Sequence, residues 1–143
     1  MPTFVRYLIA LIVFVLSAQP PANSHSYANT ADKIFGKVVS VTDGDTITVI
    51  ENRTQHRIRL FGIDSSERRQ DFGNRARQFV ADRVFGKQVW VVKQDVDRDS
   101  RIVGMVYVAD VCVNEELVKN GLAWVYRYYC KVPVCENWLD LES

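Results

Sequence analysis

Past its first 33 residues, the chain alternates between two kinds of hydrophobic spacing. Short β-type runs come first. Ile34 to Val41 is one, Thr46 to Ile50 alternates Thr with Ile and Val, and Arg57 to Ile63 is a third. Alternation at every second position is the mark of a half-buried strand. Asp43-Gly44 stands between the first two runs, where a tight hairpin turn belongs. From Glu67 to Phe85 the period changes. Phe72, Ala76, Phe79, Val80 and Val84 recur at helical spacing, arginines stand between them, and Gly86 supplies a stop. Gly73 weakens the first turn of that helix. Val89 to Val92 and Val103 to Val108 read as two further strands. Asn114 is expected to cap a short helix that buries Leu117 and Val118 and ends at Gly121, and Ala123 to Tyr126 extends beyond it. This order predicts an α+β domain with a mainly antiparallel sheet.

The first residues follow another pattern. Met1 to Arg6 is a short positive start, and Tyr7 to Ala18 is almost wholly apolar. A polar segment containing prolines follows. The apolar run falls short of the ~20 residues a membrane-spanning helix needs. The layout is that of a secretory signal peptide over residues 1–26, cut near Ala22 or Ser26, with a linker over 27–33 and one domain over 34–143. An uncleaved anchor is the rival.

Hydrophobic residues make up 48% of the 143, enough to fill one core, so a disordered chain is excluded. Removing residues 1–26 takes one basic residue, Arg6, from the 18 and leaves 17 of each sign. No overall positive field then steers the protein to a polyanion, so any binding of nucleic acid rests on local clusters. Arg53, His56, Arg57 and Arg59 form one candidate, and Arg68, Arg69, Arg75 and Arg77 another. Export implies an oxidising compartment. Cys130 and Cys135 are close enough in sequence to close a small loop, which leaves Cys112 over.

Three stretches carry chemistry. They are Val41-Thr42-Asp43-Gly44-Asp45-Thr46, then Arg59-Leu60-Phe61-Gly62-Ile63-Asp64-Ser65-Ser66-Glu67, then Asp97-Arg98-Asp99-Ser100-Arg101. Asp45 and Asp64 can hold a hard cation through oxygen. Glu67 can take a proton from water. Arg59 and Arg101 can neutralise charge that builds on phosphate oxygens.

These motifs, with Val113 to Tyr126, resemble in order those of the thermonuclease family, the staphylococcal-nuclease-like domains, from about Ile34 to Leu141. The resemblance implies an OB-fold, a five-stranded Greek-key barrel with about three helices, whose final helix is short or truncated here. It implies a Ca²⁺-dependent nuclease that cuts DNA and RNA and leaves 3′-phosphates. Arg59, Glu67 and Arg101 would be catalytic. Ca²⁺ would be held by Asp45, Asp64 and the Ser65 carbonyl, with Asp43 and Thr46 supporting the turn. Tyr129, Arg98 and Arg127 would contact the nucleotide, Tyr129 by stacking, which favours single strands. The protein is expected to act as a monomer. The family usually has Tyr-Gly before the third-motif arginine, where this chain has Asp99-Ser100. The rival function is a nucleic-acid-binding barrel that has lost catalysis.

Overall fold

The computed structural model describes residues 33–67 and 71–142. The expected leader, nearly all of the linker, and Arg68 and Arg69 lie outside the described residues. Lys33, read as the last linker residue, is the first of a strand.

Eight strands and three helices follow one another: β1 (Lys33–Asp43), β2 (Thr46–Glu51), β3 (Thr54–Leu60), β4 (Ile63–Ser65), α1 (Asp71–Val84), β5 (Gln88–Val96), β6 (Ile102–Val108), β7 (Val111–Cys112), α2 (Val113–Lys119), β8 (Ala123–Val125) and α3 (Val134–Leu141). Strands β3, β2, β1, β5 and β6 pair in that order as antiparallel neighbours. A parallel pairing of β3 with β6, Arg59 opposite Val103, closes them into a barrel. Closure leaves no edge among these strands. The outcome is the five-stranded α+β barrel that the resemblance implied.

The alternation that predicted the strands is the alternation of burial. Along β1, Ile34, Val38 and Val41 point inward, and Ile47 and Val49 of β2 meet them from the next strand. Val89 and Val91 of β5 and Val106 of β6 complete the wall. One face of α1 adds Ala76, Val80 and Val84, and α2 adds Leu117 and Val118.

Three expectations are corrected. The run from Arg57 to Ile63 is not one strand. The chain leaves β3 after Leu60, turns at Gly62 with φ +72°, and starts β4, which pairs with β8 outside the barrel. Gly62 is buried, and a Cβ there would run into the Cys130 sulfur at 2.5 Å. Asn114 is not a helix cap. It lies inside the first turn of α2, fully buried, and the cap position belongs to Cys112. Its Oδ1 accepts from Val106 N at 3.0 Å, and its Nδ2 donates to Phe61 O at 3.0 Å and Gly104 O at 3.3 Å. Where β3 parts from β6, buried main-chain groups need partners, and an amide offers both donors and an acceptor. Arg77, expected only as part of a basic cluster for nucleic acid, also has a structural role, for its Nε donates to Val41 O at 3.1 Å and ties α1 to β1.

The last helix is short, eight residues, but it carries a fully buried Trp138 whose Nε1 donates to Glu115 Oε2 of α2 at 3.1 Å. Burying an indole supplies a few kcal/mol. A disulfide joins Cys130 to Cys135 at the start of α3. The leftover Cys112 is half-buried, and burial pushes its thiol pKa up, partly opposed by hydrogen bonds from the Glu115 and Asn114 main chain. A raised pKa keeps a thiol protonated and unreactive.

Candidate active site

The hairpin between β1 and β2 turns through Gly44 and Asp45, with Asp43 opposite Thr46 in the ladder. The turn drives Asp45 inward, where it is only 8% exposed. Its carboxylate is held on all sides. Thr46 Oγ1 donates to Oδ1 at 3.0 Å, and Ser65 N and Oγ donate to Oδ2 at 3.2 and 3.1 Å. The Asp45 carbonyl accepts from Leu60 N at 2.8 Å, which fastens the turn to the end of β3.

Arg59 sits opposite Thr46 in the β2–β3 ladder, so its side chain reaches the same place. One guanidinium nitrogen lies 3.1 Å from Asp45 Oδ2, and the other donates to Asp64 Oδ1 at 3.1 Å. The first nitrogen is within ion-pair distance of Asp45 but out of line for a hydrogen bond, so among the described residues it is a buried donor without an acceptor. Asp64, in β4, has its pKa raised. Burial is the largest cause and the Asp45 carboxylate adds to it, while the Arg59 charge opposes both. Two carboxylates this close resist joint ionisation unless positive charge stands between them.

Glu67 stands two residues beyond the end of β4 and is exposed. The first turn of α1 rests on the main chain beside it. Gly73 is buried there, and a Cβ on it would collide with the Glu67 carbonyl. Glycine, read from sequence as a weak point, is what lets the helix meet this loop.

Arg101 ends the turn between β5 and β6. The Asp97 carboxylate organises this turn, accepting from Asp99 N at 3.0 Å, Arg101 N at 2.9 Å and Arg101 Nε at 2.7 Å. Burial raises the Asp97 pKa, but these bonds and the Arg101 charge outweigh it, and the net shift is downward. Asp99 approaches the same guanidinium at 3.6 Å. Ser100 adopts φ +59°, a conformation that favours glycine, the residue the family usually has here.

Because β3 and β6 run parallel, Arg59 and Arg101 open onto one cleft of about 610 Å³. Arg98, Asp99, Tyr126 and Tyr129 also line it. Arg59 thus belongs both to the carboxylate cluster and to the cleft. Arg127 is exposed and is not among the cleft's lining residues. Sequence reasoning missed Gly73, Asp97 and Tyr126. For Gly73 a signal existed, since glycine in a helix is costly and asks for a reason.

The profile of the family described as staphylococcal nuclease homologue matches residues 57–139. The chain belongs to this family. Staphylococcal-nuclease-like relatives agree with that placement. A micrococcal nuclease of Shigella flexneri is 44% identical over 105 residues, 67% of this chain and 60% of the relative. An uncharacterized endonuclease of Escherichia coli is 39% identical over 130 residues, 90% of this chain and 79% of the relative. One from Haemophilus influenzae is 34% identical over 108 residues, 75% of this chain and 61% of the relative. The chain therefore spans about three fifths of the Shigella and Haemophilus relatives and about four fifths of the Escherichia coli one.

Nucleases of this family are generally metal-dependent, and the donor set here suits a hard cation. Asp45 and Asp64 offer oxygen alone, without nitrogen or sulfur. Among the described residues no three His, Cys, Asp or Glu side chains gather at one point. A cation would thus have two side-chain carboxylates and would complete its shell with main-chain oxygen and water, as Ca²⁺ accepts.

Proposed function

We propose that this protein is an exported, calcium-dependent endonuclease. It hydrolyses phosphodiester bonds in DNA and RNA with little sequence preference, favours single strands, leaves 3′-phosphates and acts as a monomer. The observation that carries this reading is Arg59, whose guanidinium spans Asp45 and Asp64 and also faces the cleft shared with Arg101. A phosphate seated there meets two guanidiniums, each able to donate paired hydrogen bonds. The Arg59 guanidinium attracts the phosphate oxygens more strongly as charge grows on them, so the contact strengthens towards the transition state.

Asp45, Asp64 and the Ser65 carbonyl would hold Ca²⁺, which when bound supplies positive charge beside the phosphate. Glu67, exposed two residues beyond Ser65, would take a proton from the attacking water, a contribution on the order of 10²–10⁴ in rate. Arg101, pinned by Asp97, stabilises the departing 5′ oxygen by charge. Tyr129 stacks on a base, with Arg98 and Arg127 near the strand. Export is supported by the leader pattern and by the Cys130–Cys135 bridge, since disulfides persist in oxidising compartments.

The test uses purified protein, single-stranded DNA and RNA. Both should be degraded when Ca²⁺ is added and spared when it is chelated. Glu67→Gln should bind oligonucleotide and calcium yet lose most turnover. Wild-type protein that binds oligonucleotide with calcium present but leaves it uncut would turn the reading to a binding barrel without catalysis. Mass measurement of protein from the periplasm or medium checks export, and an intact N-terminus counts against cleavage.

A further inference from the structure

Beyond Tyr129, the turn between β8 and α3 carries two more aromatic rings. Tyr126 is 41% exposed, Tyr129 60% and Tyr128 73%. The Tyr126 and Tyr129 rings meet edge to face with centroids 4.9 Å apart, and Tyr128 meets Tyr129 the same way at 4.8 Å. The row starts inside the arginine cleft, which Tyr126 and Tyr129 line, and runs outward to Tyr128.

The backbone beneath these rings is fixed. Tyr126 N donates to Gly62 O at 2.8 Å, and the Tyr126 carbonyl accepts from Tyr129 N at 3.0 Å and Cys130 N at 2.9 Å. The disulfide to Cys135 holds the far end. So much exposed ring area is not explained by packing, because the core lies elsewhere. Arg127 and Lys131 stand between and beside the rings, and no acidic residue occurs from Trp124 to Val134. Aromatic faces interleaved with positive charge suit unpaired bases on a phosphate strand.

We propose that Tyr126 and Tyr128 extend the cleft into a stacking platform for the unpaired bases that flank the cut phosphate, with Tyr128 as its outer step. This rests on the nucleic-acid reading above. A rigid platform loses little entropy when a strand docks, so affinity grows with strand length until the outer ring is covered.

The test measures dissociation constants of labelled phosphorothioate oligothymidylates, two to eight residues long, with Ca²⁺ present. Wild-type affinity should climb with length. Tyr128→Ala should flatten that climb and weaken the octamer by about 5- to 100-fold. The melting temperature should stay unchanged, because the side chain is exposed. Tyr128→Phe should restore binding, since stacking needs the ring and not the hydroxyl. A 2-aminopurine placed in the strand should lose its quenching in Tyr128→Ala. An octamer that Tyr128→Ala binds within twofold of wild type overturns the platform and leaves the nuclease reading standing. Equal loss in Tyr128→Phe overturns it too. A wild-type protein that neither binds nor cuts any strand removes both.

Discussion

Gly73, in the first turn of α1, lies against the main-chain carbonyl of Glu67 with no space for a methyl group between them. The helix is thus seated on the loop that carries the proposed base. Alanine is the better helix former by about 1 kcal/mol. Here the clash should outweigh that gain. Gly73→Ala is expected to destabilise by about 1–3 kcal/mol in urea unfolding, as overpacking does. It should also displace Glu67 and reduce kcat on the order of 10²-fold. A variant more stable than wild type with full turnover would show that the loop yields freely.

Arg59→Ala and Arg101→Ala should each lower turnover by about 10²–10³, the usual loss when one charge-stabilising group is removed. Their stabilities should differ. Removing Arg59 leaves Asp45 and Asp64 facing each other without a counter-charge. Its melting temperature should fall and recover on adding Ca²⁺ by more than wild type gains. Removing Arg101 leaves the Asp97 turn with its main-chain bonds, so a small fall is expected. Thermal melts with and without calcium separate the two.

Asp64 sets a dependence on pH whose sign is fixed by its raised pKa. The cause is chiefly burial, with the Asp45 charge adding to it. Between the ordinary value of 3.8 and the raised one, the native state binds more protons than the unfolded chain. The stability this group contributes is present below 3.8 and is lost as pH rises through the folded value. Asp64→Asn should therefore melt higher than wild type at pH 7, and the difference should shrink as the medium is acidified. Added Ca²⁺ should stabilise wild type and leave Asp64→Asn little changed.

Asn114→Ala should be among the most damaging substitutions away from the cleft. It strips the amide's bonds from Val106 N and Phe61 O at one buried junction, while Gly104 O keeps Phe61 N as a donor at 2.8 Å. Each orphaned group costs about 1–3 kcal/mol, so a loss near 3 kcal/mol or more is expected by denaturant unfolding. A loss under ~1 kcal/mol would mean that water replaces the amide.

The strands of the barrel were legible because their information is local. Whether Ile47 or Thr48 faces the core follows from a two-residue period that any stretch of chain displays on its own. The Gly44–Asp45 turn, the span of α1 and the Cys130–Cys135 pairing are local in the same sense. The identities of Asp45, Arg59, Asp64 and Arg101 could likewise be picked out, since the chemistry of a carboxylate or a guanidinium belongs to the residue. Their arrangement could not. Ser65 closes on Asp45 across 20 residues because the β2–β3 ladder sets the turn against the end of β3, and Asn114 on Phe61 across 53 because the parallel β3–β6 pairing closes the barrel. That pairing leaves no periodic trace. The same holds for Gly73, whose worth lies in a neighbour on another segment, and for Arg77, whose bond to Val41 O depends on where α1 lands. Periodicity reports which side of an element is apolar. Which buried polar groups must satisfy one another depends on contacts between distant segments, and those exist only once the chain has folded.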